Sequence, residues 1–131
     1  MHFYIASSFK NRKKVKELAN KLKQRGYTYT YDWTQNEKAN SFERLSNIGE
    51  KEREGVMNAD FFIILLPGGK GSHIELGIAL GLGKRVFLYS PANDIYEYDK
   101  TCTFYHIKGL NRFVGAFDSF TDYLLEHEDL N

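Results

Sequence analysis

Phe61-Phe62-Ile63-Ile64-Leu65-Leu66 is a six-residue run without a polar side chain. Successive side chains of a strand point to opposite faces, so a strand that is apolar throughout must be covered on both sides. His2 to Ala6 and Arg85 to Tyr89 are similarly apolar, the latter closed by Ser90-Pro91 and the central run by Pro67. Between these runs the apolar period changes. Val15, Leu18, Ala19 and Leu22 recur at helical spacing until Gly26, and a second helix ends near Ala59. A third helix is predicted from about Ser72 to Leu82, with Gly83 as its C-cap.

Strands that alternate with helices and are buried on both faces define an α/β chain with a parallel sheet between two helical layers. Right-handed crossovers then give a three-layer, flavodoxin-like order, 2-1-3-4. The second strand is read at Tyr27 to Asp32, and a fifth near Thr103 to Ile107 extends the order to 2-1-3-4-5. Trp33 to Ser46 is polar and without period, which reads as a loop. A last helix follows Asp118 as N-cap, with Phe120 and Leu124 facing inward. At 131 residues the chain suits one domain, 1–131.

Composition narrows the partners. A net charge of +1, from 18 basic and 17 acidic side chains, exerts no overall pull on a nucleic-acid polymer or an anionic membrane, so a small molecule is the expected partner. Cys102 is the only cysteine, the four histidines are scattered, and no spacing suits a metal site; neither metal nor cofactor is expected. No run approaches a membrane span or a signal-peptide core, and the expected compartment is the cytoplasm.

In such sheets ligands collect at the carboxyl ends of the strands. Ser7 to Arg12, Asp32 to Thr34 and Pro67 to Glu75 converge there. Gly68-Gly69-Lys70-Gly71-Ser72 has the glycines needed for close backbone approach, followed by a helix N-terminus able to receive an anion or a sugar hydroxyl. The loop matches neither the P-loop nor the dinucleotide fingerprint. Glu75 has two readings. Ser72-His73-Ile74-Glu75 is a capping box in form; alternatively, Glu75 is a carboxylate in the first helical turn facing the crevice as a nucleophile. Leu45, Ile48, Glu52, Val56 and Ala59 share a helical stripe, which turns Glu52 inward and roughly 12 Å back along the helix toward the crevice. Its competing reading is a salt bridge to Arg53 or Lys51. Asp60 lies at the opposite end of the third strand and is read as structural. Trp33 either stacks on a base or belongs to the core, and Gly77 and Gly81 form a groove for close packing on the sheet or a partner subunit.

Ala59-Asp60 before an apolar strand, the glycine-rich loop, and Glu75-Leu76-Gly77 with Ala79 and Gly83-Lys84-Arg85-Val86 resemble the nucleoside 2-deoxyribosyltransferase family, which includes 2′-deoxynucleoside 5′-monophosphate N-glycosidases. The resemblance implies that Glu75 is the nucleophile that attacks the anomeric carbon. It also implies that Glu52, where the family usually has Asp, orients or protonates the leaving base. Ser7, Ser8, Trp33, Gly69, Lys70, Gly71 and Ser72 would bind a nucleoside or nucleotide, and the chain would act as a homodimer or higher homo-oligomer. Gly69 occupies the position at which the monophosphate N-glycosidases carry a phosphate-binding serine. Two other readings stand beside this one: a non-catalytic nucleotide-sensing module, and an NAD-cleaving hydrolase of toll/interleukin receptor type.

Overall fold

The computed structural model describes residues 1–127. Its elements are β1 (His2–Ser7), α1 (Arg12–Gln24), β2 (Thr28–Tyr29), α2 (Phe42–Asn58), β3 (Phe61–Leu65), α3 (Lys70–Gly81), β4 (Arg85–Ser90), β5 (Asn111–Val114) and α4 (Phe117–Glu126). All strand pairs are parallel, in the predicted order 2-1-3-4-5. Phe3 to Ser7 lie opposite Phe61 to Leu65, which lie opposite Arg85 to Tyr89. The three apolar runs therefore form the centre of the sheet. Every residue of β3 is buried.

Helices cover both faces, as strands of this composition require. α2 packs on α3 and β1, and α3 lies across β1, β3 and β4. α1 and α4 share the other face: the Lys14 ammonium of α1 sits 5.8 Å from the Phe117 ring centroid of α4, and Arg25 donates to the Leu125 carbonyl. The α1 stripe Val15, Leu18, Ala19 and Leu22 is buried as its spacing predicts.

Several boundaries differ from the sequence reading. β2 shrinks to two paired residues because the chain turns away after Thr30, whose hydroxyl donates to the Gly55 carbonyl at 2.7 Å. The expected loop from Trp33 to Ser46 ends early, since Ser41 caps α2 by accepting from the Arg44 N–H at 3.1 Å. Thr103–His106 is a 3-10 turn, not a strand, and the fifth strand lies further on. Gly109 and Gly115, with φ of 87° and 148°, bracket that strand with conformations that favour glycine. Asp118 lies in the first turn of α4 and does not cap it; Ala116 occupies the N-cap, while Phe120 and Leu124 are fully buried.

The glycines of α3 do not form the expected close contact within this chain, because a Cβ at Gly77 or Gly81 would meet nothing within 4 Å. Close approach occurs instead at Gly55 of α2. A Cβ there would stand 3.0 Å from both Tyr31 Cβ and Tyr4 Cε2. Gly55→Val is therefore expected to lower unfolding free energy by about 1–3 kcal/mol through overpacking. Gly77→Ala, with open space and a better helix former, is expected to raise it by up to about 1 kcal/mol. Urea denaturation of the two variants checks the contrast, and a Gly55→Val protein as stable as wild type would refute the packing account.

Candidate functional site

A crevice of about 640 Å³ opens at the carboxyl ends of the strands, beside the point where the order of the sheet reverses between β1 and β3. Ser7, Ser8 and Phe9 line it after β1, Trp33 after β2, and Gly69, Gly71, Ser72 and Glu75 after β3. α2 adds Leu45, Ile48 and Glu52, and Asn36 to Ala39 complete the lining. Of the residues predicted for the site, Lys70 alone is not part of this lining. It is exposed at the start of α3.

The first two loops are held by hydrogen bonds that leave little freedom. The Ser7 hydroxyl donates to the Leu65 carbonyl at 2.7 Å and accepts from the Asn11 amide at 2.9 Å; Asn11 also donates to the Pro67 carbonyl at 3.2 Å. This ties the β1 loop to the β3 loop. Ser8 caps the short turn Phe9–Asn11 by accepting from the Lys10 N–H. Beyond the end of β2, the Ile5 carbonyl of β1 receives the Trp33 indole N–H at 2.6 Å and the Tyr29 hydroxyl at 3.3 Å. A buried carbonyl without a strand neighbour needs such a donor. Trp33 thus belongs to the core and to the crevice wall at once.

Glu75 is not part of a capping box. α3 begins at Lys70 with Gly69 as N-cap and no side-chain cap, so Ser72 already lies inside the helix and Glu75 is beyond its first turn. Helical periodicity turns Glu75 toward the sheet, where it is only 7% exposed and accepts a hydrogen bond from the Tyr4 hydroxyl of β1. Burial pushes its carboxyl up to about 8; the Tyr4 hydrogen bond opposes that rise and the nearby charge of Glu52 adds to it. Burial, then the charge of Glu75, pushes the Tyr4 hydroxyl up in turn, so Tyr4 stays protonated as a donor.

Glu52 makes neither predicted salt bridge. Arg53 pairs with Glu50 instead, one turn away on the exposed face. The Glu52 carboxyl faces Tyr4 and Glu75 closely enough to raise both, and its own pKa is raised by burial. Two carboxyl groups therefore line one partly dry crevice, with the buried Tyr4 phenol bonded to Glu75 behind it. Such a group can hold one proton between two acids and deliver negative charge to an electrophile. Asp60 is structural as expected: its carboxylate accepts the His2 N–H at 2.7 Å, and that bond holds its pKa down. No group of His, Cys, Asp and Glu among the described residues is arranged to hold a metal ion. No helix there is long and apolar enough to cross a membrane.

Sequence reasoning did not find Tyr4 or Asn36, and it had Phe9 only within the Ser7 to Arg12 loop and Leu45 only as a stripe neighbour of Glu52. Tyr4 was legible in principle, because a tyrosine in the middle of an apolar strand buried on both faces must find a partner for its hydroxyl.

Residues 3–128 match the nucleoside 2-deoxyribosyltransferase family. No curated protein sequence matches the chain. Among solved structures, the 2-deoxyribosyltransferase of Bacillus psychrosaccharolyticus is similar over 94% of this chain and 92% of its own, with a TM-score of 0.68 and 22% identity. The CMP N-glycosidase BcmB of Clostridium botulinum is similar over 95% and 97%, with a TM-score of 0.66 and 16% identity. The chain belongs to the nucleoside 2-deoxyribosyltransferase family and is an enzyme of deoxyribosyltransferase or N-glycosidase type.

Proposed function

We propose that the crevice cleaves the N-glycosidic bond of a nucleoside through a covalent intermediate on Glu75. The observation that carries this reading is the convergence of Glu75 and Glu52 in one crevice, with Glu75 held from behind by the buried Tyr4 hydroxyl. The ionised Glu75 carboxylate attacks C1′ as the C1′–N bond breaks, and the bonding pair leaves on the base nitrogen, which takes a proton from Glu52. Water or a second base then attacks C1′ and releases Glu75, giving its proton to Glu52. Tyr4 holds the carboxylate in place and releases no proton.

The lining carries three carboxyl groups, Glu37, Glu52 and Glu75, against one cation, Lys38. Gly69 supplies no hydroxyl. Both features favour a neutral nucleoside over a 5′-monophosphate. Leu45 of α2 lines the crevice while 54% exposed, and Phe42, one turn before it on the same helix, is 90% exposed, which suits closure by a second copy of the chain; full activity from a protein that sediments strictly as a monomer would remove that part of the reading.

Chromatographic detection of free base from a panel of nucleosides, 5′-monophosphates and NAD tests the reaction. Release is expected from nucleosides and is expected to vanish in Glu75→Ala. Release that persists in that variant would exclude Glu75 as nucleophile.

The proton inventory makes a separate prediction. The productive state has Glu75 ionised and Glu52 protonated, one proton between two acids. The kcat/KM profile should therefore be bell-shaped, with its alkaline limb near the Glu75 value of about 8. Tyr4→Phe removes the hydrogen bond that lowers this value, so the limb should move to higher pH. Glu52→Gln should lose about 10²–10⁴ in kcat, and its residual rate should rise with pH to a plateau as Glu75 ionises. A wild-type profile that simply rises to a plateau would remove Glu52 as the acid. Stability has its own sign: Glu75 binds its proton more tightly when folded, so wild type should lose stability relative to Glu75→Gln between about pH 4.5 and pH 8.

A further inference from the structure

α3 starts without a capping side chain at its N-cap, yet its first turn forms one wall of the crevice. What fixes that turn lies on the side away from the crevice. The Gly69 carbonyl accepts both the backbone N–H of His73 at 3.2 Å and the ring Nδ1–H of the same residue at 2.8 Å. A carbonyl oxygen only accepts, so Nδ1 carries a proton. In the neutral ring, Nε2 is then an acceptor, and it lies 2.6 Å from the Tyr105 hydroxyl. The two rings stand 5.8 Å apart at 32°.

Tyr105 is itself held. It is buried, its N–H donates to the Cys102 carbonyl at 3.0 Å, and its own carbonyl accepts from Arg112 of β5 at 3.0 Å. His73 and Tyr105 also share a second, smaller cavity of about 260 Å³ with Pro67, Gly68 and Ser90, on the β4 side of the loop. Gly68 is wedged against Ser72, where an added Cβ would fall 2.9 Å from the serine Cβ. The loop is thus braced from behind by Ser72 and His73, while Gly69, Gly71 and Ser72 present their other sides to the crevice.

We propose that His73, oriented by Tyr105, is a positioning residue for the reaction: it fixes the Gly69 peptide and so the crevice edge formed by Gly69, Gly71 and Ser72 that leads to Glu75. The β4–β5 connection then acts on the crevice without touching substrate. The inference rests on the glycosidase reading of the crevice for its kinetic arm alone.

Three variants separate the two hydrogen bonds. His73→Leu removes both, Tyr105→Phe removes only the hydroxyl, and His73→Asn retains a donor near the Nδ1 position. Base release by folded protein should fall about tenfold or more in kcat/KM for His73→Leu, since small misplacements of a binding edge are costly in rate. Tyr105→Phe should show a smaller loss, and His73→Asn should recover most of the wild-type value. Thermal unfolding of each variant reports any purely structural contribution. In ¹H–¹⁵N spectra the amides of Gly69, Gly71 and Ser72 should shift in His73→Leu while those of β3 stay in place. Wild-type kcat/KM in His73→Leu would overturn the proposal, as would a loss that only follows the fraction of unfolded protein. If wild type releases no base from any substrate, the glycosidase reading fails by itself, and the amide shifts decide: unmoved Gly69 and Gly71 resonances would overturn the positioning role.

Discussion

Tyr4 is the point on which the architecture converges. It stands on β1, next to the central strand, fully buried and stacked on Phe62 of β3 with centroids 5.9 Å apart. α2 reaches it through Gly55, and α3 through Glu75. A desolvated phenol must find an acceptor, and a desolvated carboxyl must find a donor. Each satisfies the other. The same contact holds helix to sheet and offsets part of the rise that burial imposes on the Glu75 carboxyl, so packing and protonation of this pair cannot be separated.

The two carboxyl groups of the crevice reach it from different depths. Glu75 sits over the sheet and pays the larger desolvation penalty; Glu52 looks in from α2 and is only partly covered. Burial alone makes them unequal acids, and their mutual repulsion widens the difference. Their placement follows from helix phase. The inward stripe of α2 and the sheet-facing side of α3 come together because the two helices pack against each other on the same face of the sheet.

That phase was legible in the sequence. The apolar strands, their order and the inward turn of Glu52 follow from periodicity and from the need to cover both faces of β1, β3 and β4. The local motifs misled. Ser72 to Glu75 has the letters of a capping box, but the helix begins at Lys70, because Gly68 and His73 brace the preceding turn in a way that local spacing does not encode. Thr103 to Ile107 has strand-like composition, yet Tyr105 bonds locally and sends its hydroxyl to His73, and the strand forms only between two glycines further on. Trp33 was ambiguous because its partner, the Ile5 carbonyl, becomes available only when β2 is short.

The shortness of β2 has a consequence for how the molecule meets its neighbours. An edge strand exposes unpaired backbone groups that can recruit another chain's edge. With two paired residues, and with the next open carbonyl of β1 taken by Trp33 and Tyr29, this edge offers almost no template for strand addition. The sheet is closed to growth on that side by its own side chains, and one of them, Trp33, also walls the crevice. The closed edge and the crevice wall therefore share one indole, and a change that lengthened β2 would disturb both.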